Sequence, residues 1–344
     1  MRATDRSAAP PKRTRRILVA GGGGFIGGHL VSQLLDEGAD VVVADFKPLE
    51  EWHQAASAAE NLQLDLSSIE ASRRATHGVD EIYNLAADMG GMGFIENNRA
   101  LCMLSVLINT HLLMAAREAK VSRYFYSSSA CVYADYRQLS ADNPGLKESD
   151  AYPAAPEDGY GWEKLFSERM CRHFSEDFNL VTRVARYHNV YGPDGTWTGG
   201  REKAPAAICR KVAEAKLTGQ HEIQIWGDGQ QTRSFMYVDD CITGSRAIMD
   251  SDVTQPLNLG SSEIVTINQL VDIVEDIAGV SLERSYDLDA PKGVRGRSSD
   301  NELIQRRLGW EPSTSLAKGL TETYAWVFDQ VSARRTAESG HAVA

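Results

Sequence analysis

Four glycines lead into Phe25, Ile26 and Gly27 (GGGGFIG, residues 21–27), directly after the apolar run Ile17 to Ala20 and ahead of a helical pattern from His29 to Glu37. Residues without a Cβ let a strand turn sharply into a helix and bring the backbone close to an anionic group at that helix's N-terminus. The rhythm then repeats. Apolar runs at Val41 to Ala44, in LQLDLS, at Glu81 to Leu85 and at Tyr124 to Ser127 alternate with helical patterns such as Leu101 to Glu118. Strands alternating with helices predict an α/β fold, a Rossmann-type doubly wound parallel sheet covered on both faces and joined by right-handed crossovers. The sheet runs to at least Val184, and this domain occupies residues 17–192 in the main. After about Gly192 the pattern changes to isolated helices and short strands, at Ala204 to Ala215, Ile223 to Trp226, Ile267 to Ala278 and Asn301 to Leu308. These predict a smaller C-terminal α/β lobe over residues 193–330. Within it, Ser234 to Met249 reads as a strand edge and helix that return to the first domain, in a segment of about 234–260.

The ends and the bulk composition set limits. Met1 to Arg16 mixes two prolines with six Lys or Arg residues, a composition that predicts a disordered tail. Residues 331–344 read as a second flexible tail. With 344 residues, 42% of them hydrophobic, the chain can bury a large core, yet no apolar run approaches the roughly 20 residues needed to cross a bilayer. The polar N-terminus lacks the apolar core of a signal peptide, so a cytoplasmic protein without a membrane partner is expected. A formal charge of -11 argues against nucleic-acid binding and requires that any anionic substrate meet a local cluster of Lys and Arg. Five scattered cysteines without short paired spacings predict reduced thiols and no metal site.

Asp45 ends the second predicted strand, eighteen residues past Gly27. A carboxylate there accepts hydrogen bonds from both hydroxyls of an adenosine ribose and repels a 2′-phosphate, so Gly21, Gly24, Phe25, Ile26, Gly27 and Asp45 predict an NAD site rather than an NADP site. Asp65, in LQLDLS, reads equally as an adenine contact or as a helix N-cap. Tyr160 and Lys164 lie four apart in YGWEK and so share a helix face. A neighbouring ammonium stabilises phenolate. Tyr160 can then take the proton of a substrate hydroxyl while the nicotinamide takes hydride from the same carbon. Ser129, in YFYSSSACVY, adds a hydroxyl to hold the reacting oxygen.

The GGGGFIG turn, SSSACVY and YGWEK together resemble the extended short-chain dehydrogenase/reductase family of NAD-dependent nucleotide-sugar epimerases and dehydratases. Within it, ADMGGMGF (87–94), TWTGGREKAPAAICRK (196–211), RYHNVYGP, WGDGQQTRSF and GVRGRSSDN resemble the GDP-mannose 3,5-epimerase subfamily. The likeness covers Ile17 to Gln330. It implies that Cys131, two residues past Ser129, and Lys203 form an acid and base pair, with Cys131 favoured as base. A dehydratase of the family carries Glu at the Cys131 position. The resemblance also implies that Gly90 lets the backbone close over the hexose and that Asn189 and Gln231 bond sugar or phosphate. Lys211, Arg233 and Arg295 then offset the diphosphate charge, although Arg233 reads equally as an ion pair between the lobes.

These expectations combine into one reaction. Hydride leaves C4 for NAD, the resulting 4-ketone acidifies the protons at C3 and C5, Cys131 and Lys203 exchange them, and hydride returns. The substrate is then GDP-mannose and the product a galactose-type or gulose-type GDP-sugar. Other readings are an epimerase of another GDP-hexose or GDP-heptose, a nucleotide-sugar 4,6-dehydratase, and a non-catalytic NAD-sensing regulator. A homodimer is implied, through the helices Leu101 to Glu118 and Tyr160 to Phe174.

Overall fold

A computed structural model describes residues 14–52 and 54–341; residues 1–13 of the tail expected at 1–16 and the last three residues lie outside them, while Arg16, expected in that tail, opens the first strand. Strands β1 (Arg16–Ala20), β2 (Asp40–Asp45), β3 (Glu60–Gln63), β4 (Glu81–Asn84), β5 (Arg123–Ser129) and β6 (Val181–Tyr187) form one sheet with the strand Leu257–Leu259. Its order is Leu257–Leu259, β6, β5, β4, β1, β2, β3, and every pairing is parallel. This is the doubly wound Rossmann sheet read from the sequence. Between β1 and β4 the strand order reverses, so the carboxyl ends there open a crevice.

The strands read as continuous apolar runs because both faces are covered. Ile17, Val19, Val41, Val43, Tyr83 and Phe125 point to one side, and Leu18, Ala20, Val42, Ala44, Ile82 and Tyr124 to the other. Helices α1 (Phe25–Asp36) and α8 (Val238–Asp250) lie together on the first side, while α2 (Ile69–Ala75), α5 (Val106–Ala119) and α6 (Tyr160–Phe178) line up on the second. Short helices α3 (Met92–Asn97) and α4 (Arg99–Leu104) connect β4 to α5. The predicted helix Leu101 to Glu118 is thus two segments divided at Ser105. Contrary to the sequence expectation, Arg99–Ala119 is long and apolar enough to cross a membrane by length and composition. Its polar residues are mostly uncharged, which hides its amphipathicity. Asn109 nonetheless faces inward and bonds Tyr124 and Asn84, as a helix packed in a protein core does.

The second lobe is built from α7 (Ala204–Thr218), α9 (Ile267–Ala278), α10 (Glu302–Leu308) and α11 (Leu316–His341) with short two- and three-stranded sheets. Thr232–Ser234 is the middle strand of the three-stranded sheet, flanked by Ile264–Thr266 and Gly296–Arg297. Helix α8 packs on α1, and the strand Leu257–Leu259 joins β6, so this stretch of the chain returns to the main sheet. Helix α11 continues past residue 331, where a tail was expected. Val331 is buried and an Arg334–Glu338 pair one turn apart supports the exposed final turns.

Candidate functional site

The cofactor half begins at the glycine turn. Gly24 is the N-cap of α1 and brings no side chain to cap it, and the first turn holds no acidic residue. The free N–H groups and the positive end of the helix dipole are left for an anion. Gly21 adopts a φ of +81°, and its backbone lies against Ala86 just after β4. Phe25 and Ile26 offer backbone N–H groups only: the Phe25 side chain packs against Gly192 and Gly195, and that of Ile26 against the core. Asp45 is buried at the end of β2, and burial raises its pKa, while the backbone N–H of Lys47 pulls it down. A buried carboxylate with spare acceptor capacity suits the two hydroxyls of a ribose. Lys47 Nζ donates to the Gly23 carbonyl at 2.7 Å and Trp52 packs on Gly23, closing this side of the turn. Asp65 lies beyond β3 and is exposed, accepting from Ser67 N. The N-cap of α2 is Ser68, so the capping role considered for Asp65 is filled by another residue.

The reacting half sits where β5 ends and α6 begins. Ser129 is the last residue of β5, and its hydroxyl accepts from Cys131 N at 3.2 Å. Tyr160 is the first residue of α6, and its ring packs with Cys131, Cys102 and Ile95. Lys164 stands one turn on, with Nζ 5.4 Å from the Tyr160 ring centroid and 4.8 Å from that of Tyr126. The sequence reading expected Lys164 to lower the Tyr160 pKa. Instead burial, followed by the negative charges of Cys131 and Glu163, raises it well above the ordinary tyrosine value, and a hydrogen bond from Ser129 opposes this. Burial is the largest cause, and Glu163 adds to it from beside Lys164. Glu163 is buried, accepts from Tyr126 and Ser167, and lies 3.6 Å from Lys164 Nζ, so the ammonium is partly neutralised.

Around Cys131 the second lobe supplies cations. Lys203, the N-cap of α7, is partly buried; burial lowers its pKa and Cys131 raises it. Among the described residues its ammonium donates no hydrogen bond. Arg233 is pushed down to about 10 by burial, with Cys131 again opposing. It bonds the carbonyls of Thr232, Lys292 and Val294 and forms no ion pair among the described residues, so the inter-lobe ion pair considered for it is absent. Arg297, which sequence reasoning missed, is buried with Nη1 3.6 Å from Cys131 Sγ, Nε donating to Gln138 and Nη2 paired with Glu157. Glu157 pairs with Arg297, and Asp135 also lies within reach of its charge, so these cations are only partly offset. Arg295, the arginine chosen from sequence, lies outside this cluster, paired with Asp228 at 2.8 Å and 39% exposed.

The remaining candidates divide. Gln231 donates to Trp226 O, while its Oε1 and Glu157 Oε2 are buried without a hydrogen-bond partner among the described residues. Such atoms are rare unless a ligand satisfies them. Gln231 and Arg295 line a cavity of about 490 Å³ with Gln138, Leu139, Leu288 and Lys292. Asn189 adopts a φ of +47° and spends its amide N–H on Ser234 O. Lys211 donates to Gln224 O and is partly accessible, away from the cation cluster. Gly90 packs against Phe94 and Arg201. A cavity of about 900 Å³ beside α6, β6 and α10 contains none of these residues. No metal-binding cluster of His, Cys, Asp and Glu occurs among the described residues.

A glycine turn, the buried Asp45 carboxylate and a Ser–Tyr–Lys group now stand at the carboxyl edge of one sheet. The profile of the NAD dependent epimerase/dehydratase family matches residues 17–260. The chain belongs to that family. It is 44% identical over 327 residues to GDP-mannose 3,5-epimerase 1 of Oryza sativa subsp. japonica, covering 95% of this chain and 85% of the relative. Identity to GDP-mannose 3,5-epimerase of Arabidopsis thaliana is likewise 44%, over 93% of this chain and 84% of that protein. Among solved structures, UDP-glucose 4-epimerase of Thermotoga maritima with UDP-glucose superposes with a TM-score of 0.83 at 26% identity, covering 92% of this chain and 99% of the other. MoeE5 in complex with UDP-glucuronic acid and NAD superposes with a TM-score of 0.77 at 26% identity, over 92% and 99%.

Proposed function

We propose that this family member epimerises GDP-mannose at C3, C5 or both through a transient 4-ketone, giving GDP-L-galactose, GDP-L-gulose or both. One observation carries the reading: Cys131, two residues past Ser129, packs directly with Tyr160, and the second lobe turns Lys203 toward the same thiol closely enough for their charges to be felt. A 4-epimerase needs no such pair, because its stereocentre is remade by hydride alone. The relatives at 44% identity carry this activity in their names.

The glycine turn and Asp45 would hold NAD, which would supply reversible hydride removal at C4. Ser129 and Tyr160 hold the C4 hydroxyl, and Tyr160 takes its proton. The C4 carbonyl so formed acidifies the hydrogens on C3 and C5. Cys131 removes one of them as base, and Lys203 returns a proton from the other side of the ring, which inverts the centre. Arg297 and Arg233 keep negative charge on the thiolate and on the diphosphate favourable. Cys131→Ala and Lys203→Met variants incubated with GDP-mannose should give no epimer while still binding NAD; normal product from either removes that residue from the mechanism.

A homodimer accompanies this reading. Leu101, Met103, Leu104 and Leu107 on α4 and α5, with Trp162 and Phe166 on α6, are 39–55% exposed. An apolar surface of that kind on three neighbouring helices supports coverage by a second copy. The five free, buried cysteines suit a reducing compartment such as the cytoplasm.

A further inference from the structure

The segment that follows β4 and the segment that leads into α7 belong to different lobes, yet they are fastened together beside the reacting groups. Gly91 N donates to Arg201 O at 2.9 Å, and a Cβ on Gly91 would stand 2.5 Å from the Glu202 carbonyl, so only glycine permits this approach. Arg201 Nη1 donates to Asp88 Oδ1 at 2.6 Å and to Met89 O at 3.3 Å. Its guanidinium lies 3.7 Å from the centre of the Phe94 ring, and Phe94 and Met89 pack directly on Cys131, Tyr160, Ile95 and Cys102. On the far side the Glu202 carboxylate accepts from Gly200 N and from Arg210. Lys203 is the next residue. Its place is therefore set by a clamp of which Arg201 is the part that reaches the other lobe.

The clamp is built to open. Arg201 and Asp88 are 46% and 33% exposed, and exposed ion pairs add little to stability. Just before Arg201, Gly199 and Gly200 adopt φ of +91° and +85° with open space where a side chain would stand, which suits a hinge.

We infer that Arg201 is a positioning residue and the latch of this clamp: closed on Asp88 and Phe94, it holds Lys203 against Cys131 and keeps the keto sugar enclosed while more than one centre is inverted. The inference rests on the function proposed above. Each inversion takes one proton from a carbon next to the C4 carbonyl and adds one on the other side, with no net change of oxidation state. Return of hydride to C4 ends the sequence. When Lys203 is less firmly held, proton return slows relative to hydride return, and more sugar leaves after a single inversion or as the ketone. The latch would thus set the division between the gulose-type and galactose-type products.

Arg201→Met keeps the packing over Phe94 and loses the charge; Asp88→Asn loses only the ion pair. Both variants, first compared with wild type by calorimetric melting, are given GDP-mannose, and products are separated by chromatography while nicotinamide reduction is followed by absorbance. For both we expect KM near wild type, a loss in kcat on the order of tenfold to a hundredfold, a several-fold rise in the share of singly inverted or keto sugar, and undiminished nicotinamide reduction. Arg201→Lys should recover part of the loss. Unchanged product shares in folded variants, or a change confined to KM, overturn the latch. Should Arg201→Met not fold, Asp88→Asn alone decides. If wild type itself makes no epimer from GDP-mannose, the proposed function fails first, and that outcome is separate from the latch.

Discussion

A methyl group added at two positions of the cofactor turn should separate fold from cofactor binding. At Gly27 a Cβ would lie 2.2 Å from the Gly21 carbonyl oxygen and 2.7 Å from Gly22 Cα, against an ordinary contact of 3.4 Å or more. The obstacle is backbone, so α1 has to move off the turn by about 1 Å. Overpacking of this kind costs about 1–3 kcal/mol, offset by up to about 1 kcal/mol from the better helix propensity of alanine. Displacement of the helix end also weakens charge-assisted bonds to a pyrophosphate, each worth about 1.5–3 kcal/mol, or roughly tenfold to a hundredfold in affinity. At Gly24 the nearest atom to an added Cβ is 3.2 Å away, and φ is an ordinary -90°. The fold should accept that methyl, which then obstructs only the ligand. Calorimetric melting of the NAD-free proteins and titration with NAD make the comparison. Gly27→Ala should lose both stability and affinity, whereas Gly24→Ala should lose affinity with a clearly smaller fall in melting temperature. Wild-type melting and binding in Gly27→Ala, or a destabilised Gly24→Ala that binds NAD normally, would refute this account of the turn.

Because burial lowers the Lys203 pKa, the folded protein gives up that proton before the unfolded chain does. The partly buried ammonium costs stability at neutral pH, and the cost is relieved as pH rises from the lowered value toward the ordinary lysine value of 10.5. Lys203→Met should therefore melt higher than wild type at neutral pH, with the gap closing at alkaline pH; a pH-independent gap would contradict it. On the exposed apolar face, Phe166→Glu should shift the protein to a monomer in analytical ultracentrifugation, and an unaltered sedimentation coefficient from a dimeric wild type would place the interface elsewhere.

The fold was legible because strands buried on both faces leave runs such as Val41 to Ala44, and because a glycine turn between strand and helix has few alternatives. Ser129, Tyr160 and Lys164 were legible for the same reason: one sits at a strand end, the others on the first turns of the next helix. The electrostatic partners were not. Glu157, Glu163 and Gln138 act through contacts that no local pattern records, and Glu163 stands 3.6 Å from Lys164 Nζ while adding to the rise in the Tyr160 pKa. Arg295 and Arg297 lie two apart in GVRGR, and no local pattern tells that Arg297 is buried beside Cys131 while Arg295 pairs with Asp228 nearer the surface. The end of α11 was misread because its last turns, past Val331, are polar on every side and are held by i,i+4 pairing rather than by a core.

The proposed function stands or falls on where hydrogen exchanges in the sugar. Wild-type protein incubated with GDP-mannose in deuterated water, with the recovered sugar read by NMR, should show deuterium at C5 or C3 or both and none at C4, where hydride is taken and returned without meeting solvent. Epimer formed without deuterium at C3 or C5, or solvent deuterium at C4, would contradict a ketone held at C4 between two opposed proton carriers.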